Sequence, residues 1–336
     1  VKDLLPVLVL ALLAAPLTAV ATGRLIRELI ARAILDNPNA RSSHAVPTPR
    51  GGGLAVMAVA LPLAALAWVL AGPGGWGPWA LLLCALALMG LSFLDDLRGL
   101  GVLGRFGLQF LCVGLGLAAL PAGTLSLGGL LPVWLGAPLA LLGWVWFVNL
   151  YNFMDGIDGI TGVETTSLGL GVMVVALVGG LHAQWLVPGP ILAGAALGFL
   201  YWNWHRAKVF LGDSGSIPLG YLLGGLLLAL AAQGHLVAAL LLPAYYMADA
   251  TITLGRRALR GERIWQAHRE HFYQKATRGG WPHDRVALWI AGTNLPLTGL
   301  ALWSTTGAVV GPLVGGVGIL VLSLGVLARV GRGAQT

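Results

Sequence analysis

Phe147-Val-Asn-Leu-Tyr-Asn-Phe-Met-Asp-Gly-Ile-Asp-Gly-Ile160 closes an apolar run, long enough to cross a bilayer, with two amides and two carboxylates. Asn149, Asn152, Asp155 and Asp158 are each three residues apart. On a helix that spacing stacks them as a slowly turning stripe along one side. Gly156 and Gly159 beside the acids let the backbone turn or let a ligand approach it closely. Oxygen ligands held together at a membrane face suit a hard cation such as Mg²⁺, which keeps substrate phosphates among its other ligands. The plainer reading is a polar helix end lying in the headgroup layer. Two consecutive Asp-Gly steps speak against it, because ionisable groups at such depth are costly.

Composition sets the class around this stretch. Hydrophobic residues make up 57% of the 336 residues and charged residues only 10%, and the mean hydropathy is +0.83. A soluble domain would carry roughly 25% charged residues. Apolar runs of about 20 residues in lipid must be helical, since their backbone has no other hydrogen-bond partner. The expected fold is therefore all-α and polytopic. Eleven spans centre near residues 13, 61, 87, 113, 142, 171, 196, 223, 245, 295 and 318. Residues 1–336 form a single domain, with no linker, composition shift or internal repeat to divide them. The run from Leu4 to Thr22 has only Lys2 ahead of it and basic residues after it, which suits a retained first span better than a signal peptide. Cys84 and Cys112 lie in apolar runs and are expected as core packing, not as a disulfide or metal site.

Charge gives the orientation. With these spans, nineteen of the twenty Lys and Arg fall on one side, Lys2 being the exception. The positive-inside rule makes that side cytoplasmic, with the N terminus outside and the C terminus inside. The acids follow. Asp95 and Asp96 end the third span, Asp155 and Asp158 the fifth, and Asp213 opens the eighth in Phe-Leu-Gly-Asp-Ser-Gly-Ser. Five carboxylates at one depth would repel, and a divalent cation with nearby basic groups would offset that. Singly, each set has a plainer account: Asp95 and Asp96 paired with Arg98 or Arg105, and Asp213 as an N-cap.

The basic loops suit an anionic substrate. Arg41-Ser-Ser-His-Ala-Val-Pro-Thr-Pro-Arg-Gly-Gly-Gly53 holds His44 and Arg50, and its glycines expose N–H groups before a helix in a manner suited to phosphate. A solvated loop on an anionic leaflet is the alternative. After the ninth span, Gly261-Glu-Arg-Ile-Trp-Gln-Ala-His-Arg-Glu-His-Phe-Tyr-Gln274 puts His268 and His271 on one face if helical. An interfacial helix anchored by Trp265, Phe272 and Tyr273 would have the same pattern. No partner set for zinc accompanies them.

Together, Asp95-Asp96, Asn149-x-x-Asn152-x-x-Asp155-Gly-x-Asp158-Gly, Lys208-Val-Phe-Leu-Gly-Asp213-Ser-Gly-Ser216 and a His-containing last large loop resemble the polyprenyl-phosphate N-acetylhexosamine-1-phosphate transferases. That family includes the phospho-N-acetylmuramoyl-pentapeptide translocase and the enzymes that begin O-antigen and enterobacterial common antigen synthesis. The resemblance runs over nearly the whole chain. It implies transfer of a sugar 1-phosphate from a UDP-N-acetylhexosamine to undecaprenyl phosphate with release of UMP. It also implies Mg²⁺, with Mn²⁺ as a substitute, an active site on the cytoplasmic face of a bacterial inner membrane, and no nucleic-acid partner; it leaves a homodimer open. By position it makes Asp213 a metal ligand and gives Asp95 and Asp96 to metal binding or activation of the lipid phosphate. Asn152 and Asp155 would hold the nucleotide, Phe210 would stack on the uracil, and Asp158 would support catalysis. His268 and His271 would meet the donor diphosphate, with Lys208, His44 and Arg50 also binding substrate. The pentapeptide translocase has three consecutive histidines where this chain has His268-Arg-Glu-His271, which favours UDP-GlcNAc or a 6-deoxy relative as donor. A secondary transporter, the competing class, would place its acids near the bilayer midplane in paired repeats.

Overall fold

Backbone polar groups that lie in lipid have to pair within their own segment, and the computed structural model meets this with a bundle of helices. It describes residues 4–38, 46–72, 75–99, 101–180, 187–263, 266 and 268–333. The helices are α1 (Leu4–Ala31), α2 (Gly53–Ala71), α3 (Gly77–Arg98), α4 (Val102–Ala119), α5 (Val133–Phe153), α6 (Ile160–Val178), α7 (Pro188–Asn203), α8 (Asp213–Ala232), α9 (Leu236–Leu241), α10 (Ala244–Leu259), α11 (Phe272–Arg278), α12 (His283–Ser304) and α13 (Val310–Arg332). Eight of them, α1, α2, α3, α5, α6, α8, α12 and α13, are long and apolar enough to cross a membrane. The shorter α4 and α7, and α9 with α10, account for the other three expected spans. The protein is an all-α, multi-pass membrane protein.

The ninth span is not one helix. It breaks at Leu242-Pro243, where proline has no N–H to continue the ladder. Beyond the break α10 carries Asp249, Arg256 and Arg257. An apolar count over the segment cannot see that discontinuity.

Helix α8 is the axis, buried along almost its whole length. It packs against α5, admitted by glycines: a Cβ on Gly224 would lie 2.5 Å from Trp144 Cδ1, and one on Gly220 2.9 Å from Tyr151 Cβ. Trp144 fills the groove, donates from Nε1 to the Tyr221 carbonyl at 2.9 Å and stacks on the Tyr221 ring at 4.9 Å. Small residues permitting backbone approach are the usual means of tight helix packing in lipid. Cys84 and Cys112 are free and buried, as expected of core residues.

One short ladder matters for the site. Strands β1 (Leu35–Asp36) and β2 (Thr48–Pro49) pair antiparallel, and Arg50 then bridges in parallel to Phe210. The loop before α2 is thereby joined to the loop before α8. Gly53 and Gly215 touch backbone to backbone, since a Cβ on Gly53 would come within 2.2 Å of the Gly215 Cα. Only glycine at both positions lets the two helix N termini meet.

Candidate active site

Asp95 and Asp96 in the last turn of α3, Asn152 in the last turn of α5 and Asp213 in the first turn of α8 converge at one end of the bundle. Arg50 Nη2 lies 2.7 Å from Asp213 Oδ1 and 3.1 Å from Asp96 Oδ1. Arg105, at the start of α4, puts Nη1 2.8 Å from Asp95 Oδ2 and 3.8 Å from Asp213 Oδ2. Burial alone would favour a neutral Arg50, but Asp213, Asp96 and Asp36 more than offset it and raise its pKa. Asn152 is oriented from two sides: its oxygen accepts from Ser216 Oγ at 2.6 Å, and its amide nitrogen faces Asp213 Oδ2 at 3.5 Å. The N-cap of α8 is Gly212, so Asp213 sits inside the first turn, where the helix dipole favours its charge.

Three local expectations are corrected. The glycine N–H groups are not open to phosphate, because those of Gly51 and Gly52 donate to the Phe210 carbonyl at 3.1 and 2.8 Å and that of Gly53 to Leu211 at 2.8 Å. The polar stripe does not form, because α5 stops at Phe153 and its members diverge. Asn149 turns to Gln109 of α4 at 2.8 Å, and Asp155 accepts from Thr161 Oγ1 at 2.6 Å. Asp158 faces the loop after α7. Nor do His268 and His271 share a helix face: α11 begins only at Phe272, with His271 as its N-cap, although the two rings lie 4.8 Å apart.

The acids of the α5–α6 loop differ in environment. Loss of water pushes the Asp155 carboxyl up to about 6; Thr161 and Arg50 pull it back, and the Asp213 charge adds to the rise. Burial also acts to raise Asp158, but hydrogen bonds and charge from His283, His205 and the Ala207 N–H outweigh it and leave the group below the usual carboxylate range. Its Oδ2 lies 2.8 Å from His205 Nδ1 and 3.1 Å from His283 Nδ1. These three residues hold ligand-type atoms within 4.8 Å of one another, a spacing that could hold a metal ion. A backbone donor already addresses one of those atoms, Ala207 N–H to Asp158 Oδ2 at 3.3 Å. The group therefore reads best as a hydrogen-bonded hub fixing Asp158.

The histidine loop reaches the site through α11. Asp249, fully buried in α10, accepts from His271 Nδ1 at 3.1 Å, the Phe272 N–H at 3.0 Å and the Tyr273 N–H at 3.2 Å. Tyr273 in turn donates from its hydroxyl to the Phe153 carbonyl at 3.3 Å. Burial, then the charges of His271 and Arg257, lower the His268 pKa to about 4. Its Nδ1 accepts the Glu270 N–H at 3.3 Å, so the neutral ring carries its proton on Nε2. Arg257 and Arg260 brace the loop by pairing with Glu262 and Glu270. Lys208 leans over the Trp202 ring at 5.2 Å, and Phe210 is half-buried with its backbone in the Arg50 ladder. His44 and Trp265 lie outside the described residues.

The sequence reading missed His205 and His283. Each stands apart from any motif, His205 in the loop after α7 in Trp-Asn-Trp-His-Arg and His283 at the start of α12 in Trp-Pro-His-Asp. The only signal was that each falls on the same side as the acids.

Carboxylates, amides and arginines gathered at one end of a lipid-spanning bundle define a multi-pass membrane enzyme that handles charged groups at the membrane surface. The glycosyl transferase family 4 model matches residues 78–231. The chain is 32% identical over 322 residues to decaprenyl-phosphate N-acetylglucosaminephosphotransferase of Mycobacterium tuberculosis, covering 82% of this chain and 77% of that protein. It is 33% identical over 294 residues to a phospho-N-acetylmuramoyl-pentapeptide-transferase of a Synechococcus species, covering 77% and 80%. A probable undecaprenyl-phosphate N-acetylglucosaminyl 1-phosphate transferase of Bacillus subtilis is 27% identical over 291 residues, covering 81% and 78%. The chain belongs to glycosyl transferase family 4 and is a membrane-embedded phosphoglycosyl transferase, which sets the transporter reading aside.

Proposed function

We propose that the enzyme transfers an N-acetylhexosamine 1-phosphate from a UDP-sugar to undecaprenyl phosphate or a similar polyprenyl phosphate, releasing UMP. The observation that carries this reading is the meeting of Asp96, Asp213, Asn152 and two arginines at one end of the bundle. The positive-inside rule supports a cytoplasmic position for that end, where the product would begin O-antigen or another envelope polysaccharide.

Asp213 and Asp96 fit a divalent cation. Asp96 Oδ2 is buried and has no hydrogen-bond partner among the described residues, so the pair keeps acceptor capacity that arginine does not use, and hard oxygen donors suit Mg²⁺ or Mn²⁺. When bound, the ion would offset charge on the phosphates of the donor. The chain's own residues do the rest. Arg50 and Arg105 offer planar forks to phosphate oxygens, and Asn152, fixed by Ser216, orients Asp213. Asp155 and Asp158, with Phe210, shape the nucleotide end, while His268 can donate from Nε2 to a diphosphate oxygen. A lipid phosphate oxygen attacks the sugar-bearing phosphorus, forming the new P–O bond as the bond to UMP breaks and its electron pair leaves with UMP. Asp95 and Asp96 each hold an arginine, which supports positioning and charge control over service as covalent nucleophiles. Catalysis then rests chiefly on placement and electrostatics.

The test is to incubate purified enzyme with undecaprenyl phosphate, Mg²⁺ and either UDP-GlcNAc or UDP-MurNAc-pentapeptide. UMP and a lipid-linked sugar are expected from the first donor. Product from the pentapeptide donor alone would replace this reading with the muramoyl one, and no UMP from any UDP-N-acetylhexosamine would refute it.

A further inference from the structure

A single nitrogen, Arg50 Nη2, touches both carboxylates assigned above to the cation, at 2.7 Å from Asp213 and 3.1 Å from Asp96. The two acids come from different helices, and nothing else described lies within ion-pair distance of both. Arg50 is firmly held at its backbone and loosely at its tip. Its N–H reaches the Ile34 carbonyl at 3.4 Å, and the glycines after it are bonded to Phe210, yet its side chain is 39% exposed. Asp96 Oδ2 beside it has no partner among the described residues, so the guanidinium satisfies the acid pair only in part.

Charge makes the arrangement self-limiting. Arg50 and Arg105 stand against Asp95, Asp96 and Asp213, with the Asp36 charge also acting on Arg50, so the acids outnumber the arginines. A divalent cation added to an unmoved Arg50 would set two positive groups on the same oxygens. Arrival of phosphate would offer Arg50, whose side chain is partly exposed, a bidentate acceptor outside the acid pair.

We infer that Arg50 holds the place of the divalent cation between Asp96 and Asp213 in the substrate-free enzyme and exchanges onto a substrate phosphate when the cation binds. This rests on the assignment of the cation to Asp96 and Asp213. Arg50 is thereby a positioning residue that makes cation binding and phosphate binding mutually dependent, and linkage requires the dependence to be reciprocal.

The experiment titrates Mn²⁺ into the detergent-solubilised full chain and follows unbound Mn²⁺ by electron paramagnetic resonance, without substrate, with UDP-GlcNAc, or with undecaprenyl phosphate. Arg50→Gln is expected to bind Mn²⁺ about fivefold or more tightly than wild type when no substrate is present. Arg105→Gln, which removes an equal charge 3.8 Å from Asp213, should gain clearly less, and Arg50→Lys should fall between wild type and Arg50→Gln. Whichever phosphate ligand tightens Mn²⁺ binding in wild type but less so in Arg50→Gln identifies the phosphate that Arg50 takes. Unchanged or weaker Mn²⁺ binding in Arg50→Gln, or equal gains in the two glutamine variants, overturns the exchange, the latter showing only a general field effect. Asp213→Asn checks the underlying assignment separately: if it binds Mn²⁺ as wild type does, the cation lies elsewhere and the inference falls with that reading. Elution as a single species and an unchanged melting temperature of Arg50→Gln confirm that the comparison is between folded proteins.

Discussion

Gly156→Ala is a clean test of whether the histidine loop and the Asp155–Asp158 loop form one structure. Gly156 has no positive φ, so alanine meets no backbone penalty there. Its Cβ would nevertheless lie 2.2 Å from the Tyr273 hydroxyl oxygen and 3.2 Å from Gln274 Nε2. The first distance is more than an ångström inside ordinary contact, and Tyr273 cannot simply swing away. Its hydroxyl is bonded to Phe153 and its ring stacks on His271 at 5.5 Å. Either α11 lifts or the loop deforms, at the roughly 1–3 kcal/mol typical of overpacking. Tyr273→Phe removes the clashing oxygen and one hydrogen bond worth about 1 kcal/mol, and leaves Cζ at a tolerable 3.3 Å. The double variant should therefore recover part of the loss, with a favourable coupling of about 1 kcal/mol or more. Thermal melting in detergent and kcat/KM for UMP release measure it. A wild-type Tm and KM in Gly156→Ala, or additive losses in the double variant, would show that the two loops are independent and that α11 does not set the donor end of the site.

Three further outcomes follow from the site. Asp213→Asn should lower Mg²⁺-dependent UMP release at least about a hundredfold, read by steady-state assay; near-wild-type turnover would remove Asp213 from the centre. Asp155 has a carboxyl raised to about 6, so the folded state holds its proton more tightly than the unfolded chain and stability is lost as pH rises from about 4 through 6. Asp155→Asn, which keeps an acceptor for Thr161, should then be more stable than wild type at pH 7.5 by roughly 3 kcal/mol and melt as wild type does near pH 4, while losing activity; no pH dependence in the difference would contradict the burial account. Asp158 lies below the usual carboxylate range because of His283 and His205, and removing His283 should let it protonate at higher pH. The acid limb of the kcat/KM profile in His283→Ala is expected to move upward, and a limb that stays in place would show that Asp158 does not titrate through that contact.

What the sequence made legible was whatever lipid forces on a chain. Eleven apolar segments had to be helices, and their ends had to carry the polar chemistry, so Asp95, Asp96, Asn152 and Asp213 could be assigned to one end of the bundle before any coordinates. The illegible parts were those decided by pairing between distant segments. The Gly51–Gly53 amides looked available for phosphate because their acceptors, Phe210 and Leu211, lie about 160 residues away in the chain. The Asn-x-x-Asn-x-x-Asp-x-x-Asp periodicity looked helical because a spacing of three carries no mark of where a helix stops. His205 and His283 belong to no motif, and only the closure of α7 and α12 around Asp158 gives them a role.

The position of the acids relative to the helix ends separates the structural from the functional. Asp213 stands in the first turn of α8, where the positive end of the helix dipole favours a carboxylate at no cost to the fold. Asp95 and Asp96 stand in the last turn of α3, the end that disfavours negative charge, and they also face each other's charge and that of Asp213. Arg98 in the same turn is the kind of residue that end favours, as Arg256, Arg257, Arg329 and Arg332 are in α10 and α13, and one basic residue does not balance two acids. The arrangement persists because Arg50 from the loop before α2 and Arg105 from the first turn of α4 offset it, the former delivered by the β-ladder and the Gly53–Gly215 contact. A fold that builds a backbone interlock to bring an arginine to a misplaced pair of acids is organised around charge it must later exchange, and phosphate with its counter-ion is the exchange that the geometry accommodates.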